Sequence, residues 1–462
     1  MSLGRTGPAR VRFSGMKRAM IVLPLLLSIG CAQINYGLEG TNDPVKLDLS
    51  DSALQVQVNS LSSEIAALRG LAFKQPVKAS FVNRAHLPAL IDSIEAATNP
   101  GEAGPDDLTF GQLAYGLGYT ASPASYDSAE NSFSGSAIVG FYVPGTNHLW
   151  IVSEASSQDQ RSTMAHELVH ALQDQNFDLA KDRSTSLDGM YAHNMVVEGD
   201  AEYTQMLYDR RNPSLSLIDA DNDFQNMTEL ADLLDQSTYG KLPLVNTLPG
   251  FLPYYWGPKF VHEVRRAKGW AGVDLLHETP PATTHHVLYP AQGIGHAPYR
   301  TWDTTRTWSA MNRLEGWANM GFDQMGELML NTLLMSMNRK VMGNSGSAVE
   351  GWNGDQVWLW RKDSQRYAAA AIIDWQSRSQ AAGFKQYWDM RVSGLGNRIS
   401  RSDTTGTRVL LAWGHLTAPE MDSLWKDLKD TTSSRLVAGR VAPVKLWPKR
   451  PAHPWGPRPP RF

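Results

Sequence analysis

Cysteine is almost absent. One thiol, Cys31, stands in 462 residues, so no disulfide can form within the chain. Charge is scarce too: Asp, Glu, Lys and Arg make up 19% of the sequence and the net charge is −3. That gives no reason to expect a nucleic-acid partner. The apolar run at 19–27 is far shorter than the ~20 residues a membrane-spanning helix needs. No internal repeat is visible. Apolar residues, by contrast, are plentiful, at 42% with 15 Trp. The chain is long enough for two or three domains with a sizeable core.

The only cysteine ends an ordered pattern. In "MKRAMIVLPLLLSIGC", residues 16–31, Lys17 and Arg18 precede the apolar run, and Ser28 to Gly30 lead to Cys31. This is the order of an export signal. It resembles a bacterial lipoprotein signal, in which the cysteine is lipidated and becomes the mature N-terminus. Ser28 stands where leucine is usual, and a plain secretory signal is the alternative. On the lipoprotein reading Met16 is the better start. Ala32 after the cysteine favours sorting to an outer membrane. The expected location is the cell envelope, reached by export and held by a lipid anchor.

The rest divides into a tether and N-terminal helix over 32–75, a catalytic region over 76–300, a mostly helical region over 301–435 and a Pro/Arg-rich tail, expected to be disordered, over 436–462. Leu54, Val58, Leu61 and Ile65 recur with a helical period. "PVKASFV" reads as a short strand leading into a helix. "SAIVGFYVPGTNHLWIV" is two apolar runs around Pro144 to Asn147, a β-hairpin. Helices are expected at "MAHELVH", over 192–211, in "YYWGPKFVHEVRRAKG" as far as Gly269, and in most of 300–395. A strand is expected at 408–414 and a helix over 418–428.

The chemistry lies in "MAHELVHALQD", 164–174. Residues four apart share one face of a helix, so His166 and His170 can offer two imidazole nitrogens to one ion. Glu167 is about 100° round the helix and can reach a water on that ion without being a ligand. The ion lowers the water's pKa toward ~7, and a carboxylate takes and later returns the proton. A helix with two hydrogen-bonded histidines is the plain alternative. A catalytic zinc needs a third protein ligand. The metzincin continuation fails, because Gln173 and Asn176 stand where Gly and His should be. Asp174, on the same helix, is a second option. Glu198 in "MVVEGDAEY" is the third and the preferred one. Glu202, four residues on, shares its face and could accept a spare histidine N–H; Asp200 could do so if the helix is irregular. An acidic first helical turn would explain both without a metal.

These two segments, "AHELVHALQDQNFDL" and "VVEGDA", resemble the gluzincin branch of zinc metallopeptidases, and more narrowly a group of bacterial metallopeptidases that includes many lipoproteins. "VGFYVPGTNHLWIV", "LPYYWGPKFV", "PPATTHHVLYP" and "GWNGDQ" match that group loosely, over about 65–390. The spacing between His170 and Glu198 is longer than in better-known members, which suggests a loop beside the cleft. The resemblance implies an α+β fold: a mostly helical zincin-like catalytic domain with a small β-sheet packed on the HExxH helix. It implies one Zn2+ ion held by His166, His170 and Glu198, with Glu167 as general base and acid acting on a peptide or protein substrate. It implies that the "HLWIV" strand is a sheet edge for an extended peptide, with a plain core strand as the alternative. Tyr254 is the candidate for stabilising the oxyanion, with His285 and His286 behind it. A non-catalytic envelope lipoprotein, a binding module with a structural or degenerate metal site, is the alternative function.

Overall fold

The computed structural model describes residues 51–98, 108–129, 138–155, 157–181, 183–184, 186–209, 242–291, 314–337 and 348–432. The export signal with Cys31, the tether before residue 51, the 210–241 stretch and the tail over 436–462 lie outside these residues.

The helical period at the N-terminus becomes α1 (Asp51–Arg69), which buries Leu54, Val58, Leu61 and Ile65. "PVKASFV" forms β1 (Lys78–Val82), followed by α2 (Leu87–Thr98). A short helix, α3 (Phe110–Leu117), comes next; Thr109 caps it in a reciprocal box with Gln112, which satisfies orphan N–H groups of its first turn. The hairpin is present as β2 (Gly140–Val143) and β3 (His148–Val152). Its turn uses positive φ at Gly145 and Asn147, residue types that tolerate this conformation.

β3 pairs antiparallel with β2 and parallel with β1, giving a three-stranded mixed sheet ordered β1-β3-β2. β3 is thus the central strand, which corrects the expectation that "HLWIV" is an open edge. Both its sides are already hydrogen-bonded. Leu149 and Ile151 face α4 (Ser157–Phe177), packing in one cluster with Met164, Leu168 and Leu172 and with the apolar face of α1. The small sheet therefore does lie on the motif helix.

α5 (Leu187–Asp209) and α6 (Leu244–Glu278) follow. α6 contains Pro249, Pro253 and Pro258 and breaks at Gly269, whose φ is 68°. Within "PPATTHHVLYP", Thr284–Leu288 is a short helix, α7.

The C-terminal region departs from expectation. Its described residues hold nearly as much strand as helix. It is built on a five-stranded antiparallel sheet ordered β4-β5-β6-β8-β7, from β4 (Ala318–Asp323), β5 (Trp352–Arg361), β6 (Tyr367–Trp375), β7 (Ile399–Thr405) and β8 (Arg408–Gly414), with α8 (Gly326–Met337), α9 (Arg378–Arg391) and α10 (Ala418–Thr432) packed against it. The strand at 408–414 and the helix from 418 agree with the reading. The strands at 352–375 were hidden because both faces are covered. Val357, Leu359, Ala369 and Ala371 join the large central core, while Trp358, Trp360, Ala368 and Ala370 pack under Met421, Leu424 and Leu428 of α10. A strand buried on both faces shows no polar alternation, and a run of alanines carries high helix propensity.

This sheet shares its core with the helices that precede it. Met195 of α5 and Phe260 of α6 belong to the same cluster as Trp375 and Trp413. Trp413 Nε1 donates to the Leu117 carbonyl at 2.9 Å, and the Tyr119 hydroxyl donates to the Met329 carbonyl at 2.9 Å. Trp413, fully buried and edge-on to Trp388 at 5.2 Å between ring centres, is the seam of this packing. Trp413→Ala is expected to destabilise the protein by about 3–5 kcal/mol, read as a lowered midpoint in chemical denaturation; an unchanged midpoint would contradict the shared core.

Candidate metal centre

α4 has neither glycine nor proline. Its middle is buried on all sides, with Met164, Ala165, Leu168, Val169, Ala171 and Leu172 all nearly inaccessible. A helix without a solvent face forces its polar residues inward, and His166, Glu167, His170 and Gln173 are at most 2% exposed. α5 lies alongside and brings Glu198 and Asp200, both 0% exposed.

His166 Nε2 lies 3.3 Å from Glu198 Oε2, and His170 Nε2 lies 3.4 Å from the same oxygen. The donor atoms of these three residues fall within 4.8 Å of one another, which makes them, among the described residues, a group that could hold a metal ion. Ligands ~2.0–2.1 Å from a zinc ion at tetrahedral corners stand about 3.4 Å apart. The two imidazole-to-carboxylate separations match that edge. His170 Nε2 and Glu198 Oε1 make no hydrogen bond although both are buried. Buried polar atoms of this kind call for a partner. Two imidazoles and a carboxylate are donor types that suit zinc, so the residues present fit the ion.

Electrostatics bind the cluster together in the ion-free state. Burial pushes the Glu198 carboxyl up, but His170 and His166 beside it prevail and hold it at about 2. Burial pushes His170 down, but Glu198 prevails and lifts it to about 9. The pair is a buried imidazolium–carboxylate contact.

The other ring nitrogens point to amides rather than to the expected carboxylates. His166 Nδ1 is 2.9 Å from Gln205 Oε1 and His170 Nδ1 is 2.9 Å from Gln173 Oε1. Glu202 lies farther off, 3.7 Å from His166 Nδ1. Asp200 touches neither ligand. It accepts from Gln173 Nε2 at 3.1 Å, from Arg69 Nε at 2.6 Å and from His277 Nε2 at 2.9 Å. Burial raises its carboxyl, but Arg69 and His277 outweigh that and keep it well below the usual carboxylate range. Asp200 thus serves Arg69, His277 and Gln173 in place of the expected ligand N–H, whereas Glu202 keeps an ion-pair separation from His166 Nδ1 behind the closer Gln205. Gln205 is seven residues after Glu198 and Gln173 three after His170, both on the ligand face; that spacing was the available signal. Arg69 carried none.

Glycines set the distance between α5 and α6. A Cβ on Gly199 would sit 2.3 Å from the Gly257 carbonyl carbon, and one on Gly257 would sit 2.3 Å from the Met195 carbonyl oxygen. The two backbones touch next to Glu198. This contact also carries Tyr254, whose ring stacks on His166 at 5.8 Å between centres and 27° between planes.

Other candidates lie elsewhere. Asp174 is not a ligand: it accepts from the Tyr142 hydroxyl at 2.8 Å and the Gly145 N–H at 2.7 Å, which fastens the hairpin to α4. His285 pairs with Glu327 and His286 with Thr283, so neither belongs to this cluster. The segment between the ligands is largely helical, because α4 runs to Phe177 and α5 begins at Leu187.

A family described as a domain of unknown function (DUF8575) matches residues 312–413. That stretch covers the C-terminal sheet nearly to the end of β8 and contains none of the three clustered residues. No curated protein and no solved structure matches the chain.

Gly199→Ala is expected to cost about 1–3 kcal/mol through overpacking and to weaken ion binding at Glu198, measured by denaturation and zinc titration; wild-type values in both would contradict the contact. A second expectation concerns pH. In the ion-free protein the raised His170 value stabilises the fold fully below its ordinary 6.5 and is lost as pH rises through about 9. The lowered Glu198 value contributes above its ordinary 4.5 and is lost as pH falls through about 2. An ion displaces the His170 proton. The rise in melting temperature on adding zinc is therefore expected to be larger near pH 9 than near pH 6.5, and equal rises would contradict the buried pair.

Proposed function

We propose that the chain is an exported, lipid-anchored zinc metallopeptidase of the gluzincin type that hydrolyses peptide bonds in a peptide or protein substrate. The observation that carries this reading is the 3.3 Å and 3.4 Å approach of two imidazole nitrogens to one carboxylate oxygen, with Glu167 adjacent on the same helix. His166, His170 and Glu198 hold the ion. When bound, zinc supplies Lewis acidity to the substrate carbonyl and to the attacking water. Glu167 accepts the water's proton as the water adds to the carbonyl, then delivers it to the leaving amine. Tyr254, stacked on His166, is the proposed donor to the carbonyl oxygen as negative charge develops there. Lipidation of Cys31 would hold the enzyme at the cell envelope, on the outer membrane where one exists.

A second reading draws on a specific observation. The three clustered residues and Glu167 are all buried, both glutamates completely, as in a closed structural site. On that reading the protein is an envelope binding module and the ion a fold element.

Glu167→Gln separates the two. Zinc content by mass spectrometry is expected to be one ion per chain in both proteins. Cleavage of a peptide library is expected only from wild type, with the variant slower by about 10²–10⁴-fold. Zinc in both proteins with cleavage by neither would leave the binding module standing and remove the peptidase.

A further inference from the structure

Each liganding imidazole must offer its Nε2 lone pair to the ion and so must keep its proton on Nδ1. An amide neighbour can meet Nδ1 with either its oxygen or its NH2, and only the oxygen favours the required tautomer. The network fixes which one does. Gln173 Nε2 lies 2.9 Å from the Val197 carbonyl and 3.1 Å from Asp200 Oδ2. The carbonyl can only accept, and Asp200 is already an acceptor, with Arg69 Nε at 2.6 Å and His277 Nε2 at 2.9 Å. Turning the amide over would set its oxygen against both, so Gln173 Oε1 faces His170. At His166 the logic is one step longer. Ser162 Oγ gives its single proton to Asp209 Oδ2 at 2.5 Å. Toward Gln205 Nε2, 2.8 Å away, it can therefore only accept. Gln205 Nε2 also approaches Asp209 Oδ2 at 3.4 Å. Gln205 Oε1 is thus turned to His166.

We propose that Gln173 and Gln205 are positioning residues for the ion, two anchored amides that lock both imidazoles as Nδ1–H tautomers aimed at Glu198. The proposal rests on the metal-site reading above. It also assigns a chemical character to the site. A carboxylate behind a liganding histidine raises the ligand's basicity, whereas a neutral amide oxygen is the weaker acceptor. The two amides hold the rings without adding negative charge of their own, with the Glu202 carboxylate farther off, 3.7 Å from His166 Nδ1, and Glu198 is the anionic ligand of the three.

The test is zinc affinity by chelator competition on the full chain, for wild type, Gln173→Met, Gln205→Met and the double variant Gln205→Glu with Asp209→Asn. Methionine keeps the length of the side chain and removes the acceptor. The double variant exchanges amide and carboxylate, so that a carboxylate oxygen meets His166 while the amide introduced at position 209 can donate to it. Each methionine variant is expected to bind zinc about 10–100-fold more weakly, and the double variant at least as tightly as wild type. Methionine fills nearly the same space, so a role in packing alone predicts zinc binding within twofold of wild type in the methionine variants, and only loss of the Nδ1–H acceptor predicts weakening that a carboxylate at position 205 restores. Methionine variants that bind within twofold of wild type, or a double variant as weak as Gln205→Met, would overturn the proposal and leave the metal site intact. Wild-type protein that binds no zinc would overturn both. Thermal unfolding of each ion-free variant identifies any that does not fold; if Gln205→Met is lost in this way, the affinities of Gln173→Met and the double variant decide, and if Gln173→Met is lost, those of Gln205→Met and the double variant decide.

Discussion

A carboxylate with no access to water is the constraint on which this structure turns. Glu198 is completely buried on a helix surrounded by apolar side chains. An isolated buried charge costs far more than one residue can return by packing, so the local structure must compensate it. His166 and His170 do so from α4, with a single oxygen of Glu198 against both rings. Two positions on, Asp200 poses the same problem and receives a different answer, a guanidinium from α1 and an imidazole from α6. Gln173 joins the two solutions, because its oxygen meets His170 and its nitrogen meets Asp200.

The packing around this core of charge is organised to hold helices at fixed separations. The three-stranded sheet lies on α4 through Leu149 and Ile151. Its hairpin is fastened by hydrogen bonds to Asp174 on that same helix. On the other side α5 meets α6 backbone to backbone at Gly199 and Gly257. A glycine inside a helix costs roughly 1 kcal/mol against alanine, and here the close approach of Glu198's helix to Tyr254's accounts for it. The C-terminal sheet continues the same core, with α3 fitted between.

The parts of the fold and site that were legible in the sequence are those that repeat with a local period. The His166–Glu167–His170 pattern, the stripe of α1 and the hairpin turn at Gly145 are of that kind, and Glu198 followed from the resemblance of "VVEGDA". The remainder depends on partners far away in the chain. β3 is central only because β1 pairs parallel with it, and nothing in "HLWIV" announces that neighbour. β5 and β6 were read as helix because two apolar layers erase alternation. Gln173 and Gln205 share a face with the histidines, but carboxylates are the commoner partners of metal-binding histidines, so the amides carry a weak signal in sequence.

Asp200 takes Arg69 from 131 positions before it and His277 from 77 after it. α4 and α5 are neighbours in sequence and can bring the two imidazoles and Glu198 together as one helical hairpin. The brace behind His170 exists only once α1 and the end of α6 have both docked. The His166, His170 and Glu198 cluster is therefore made of local contacts, while the scaffold that steadies it is made of long-range ones, the kind that costs most loop-closure entropy. The brace behind His170 is thus a property of the finished molecule and not of the hairpin alone.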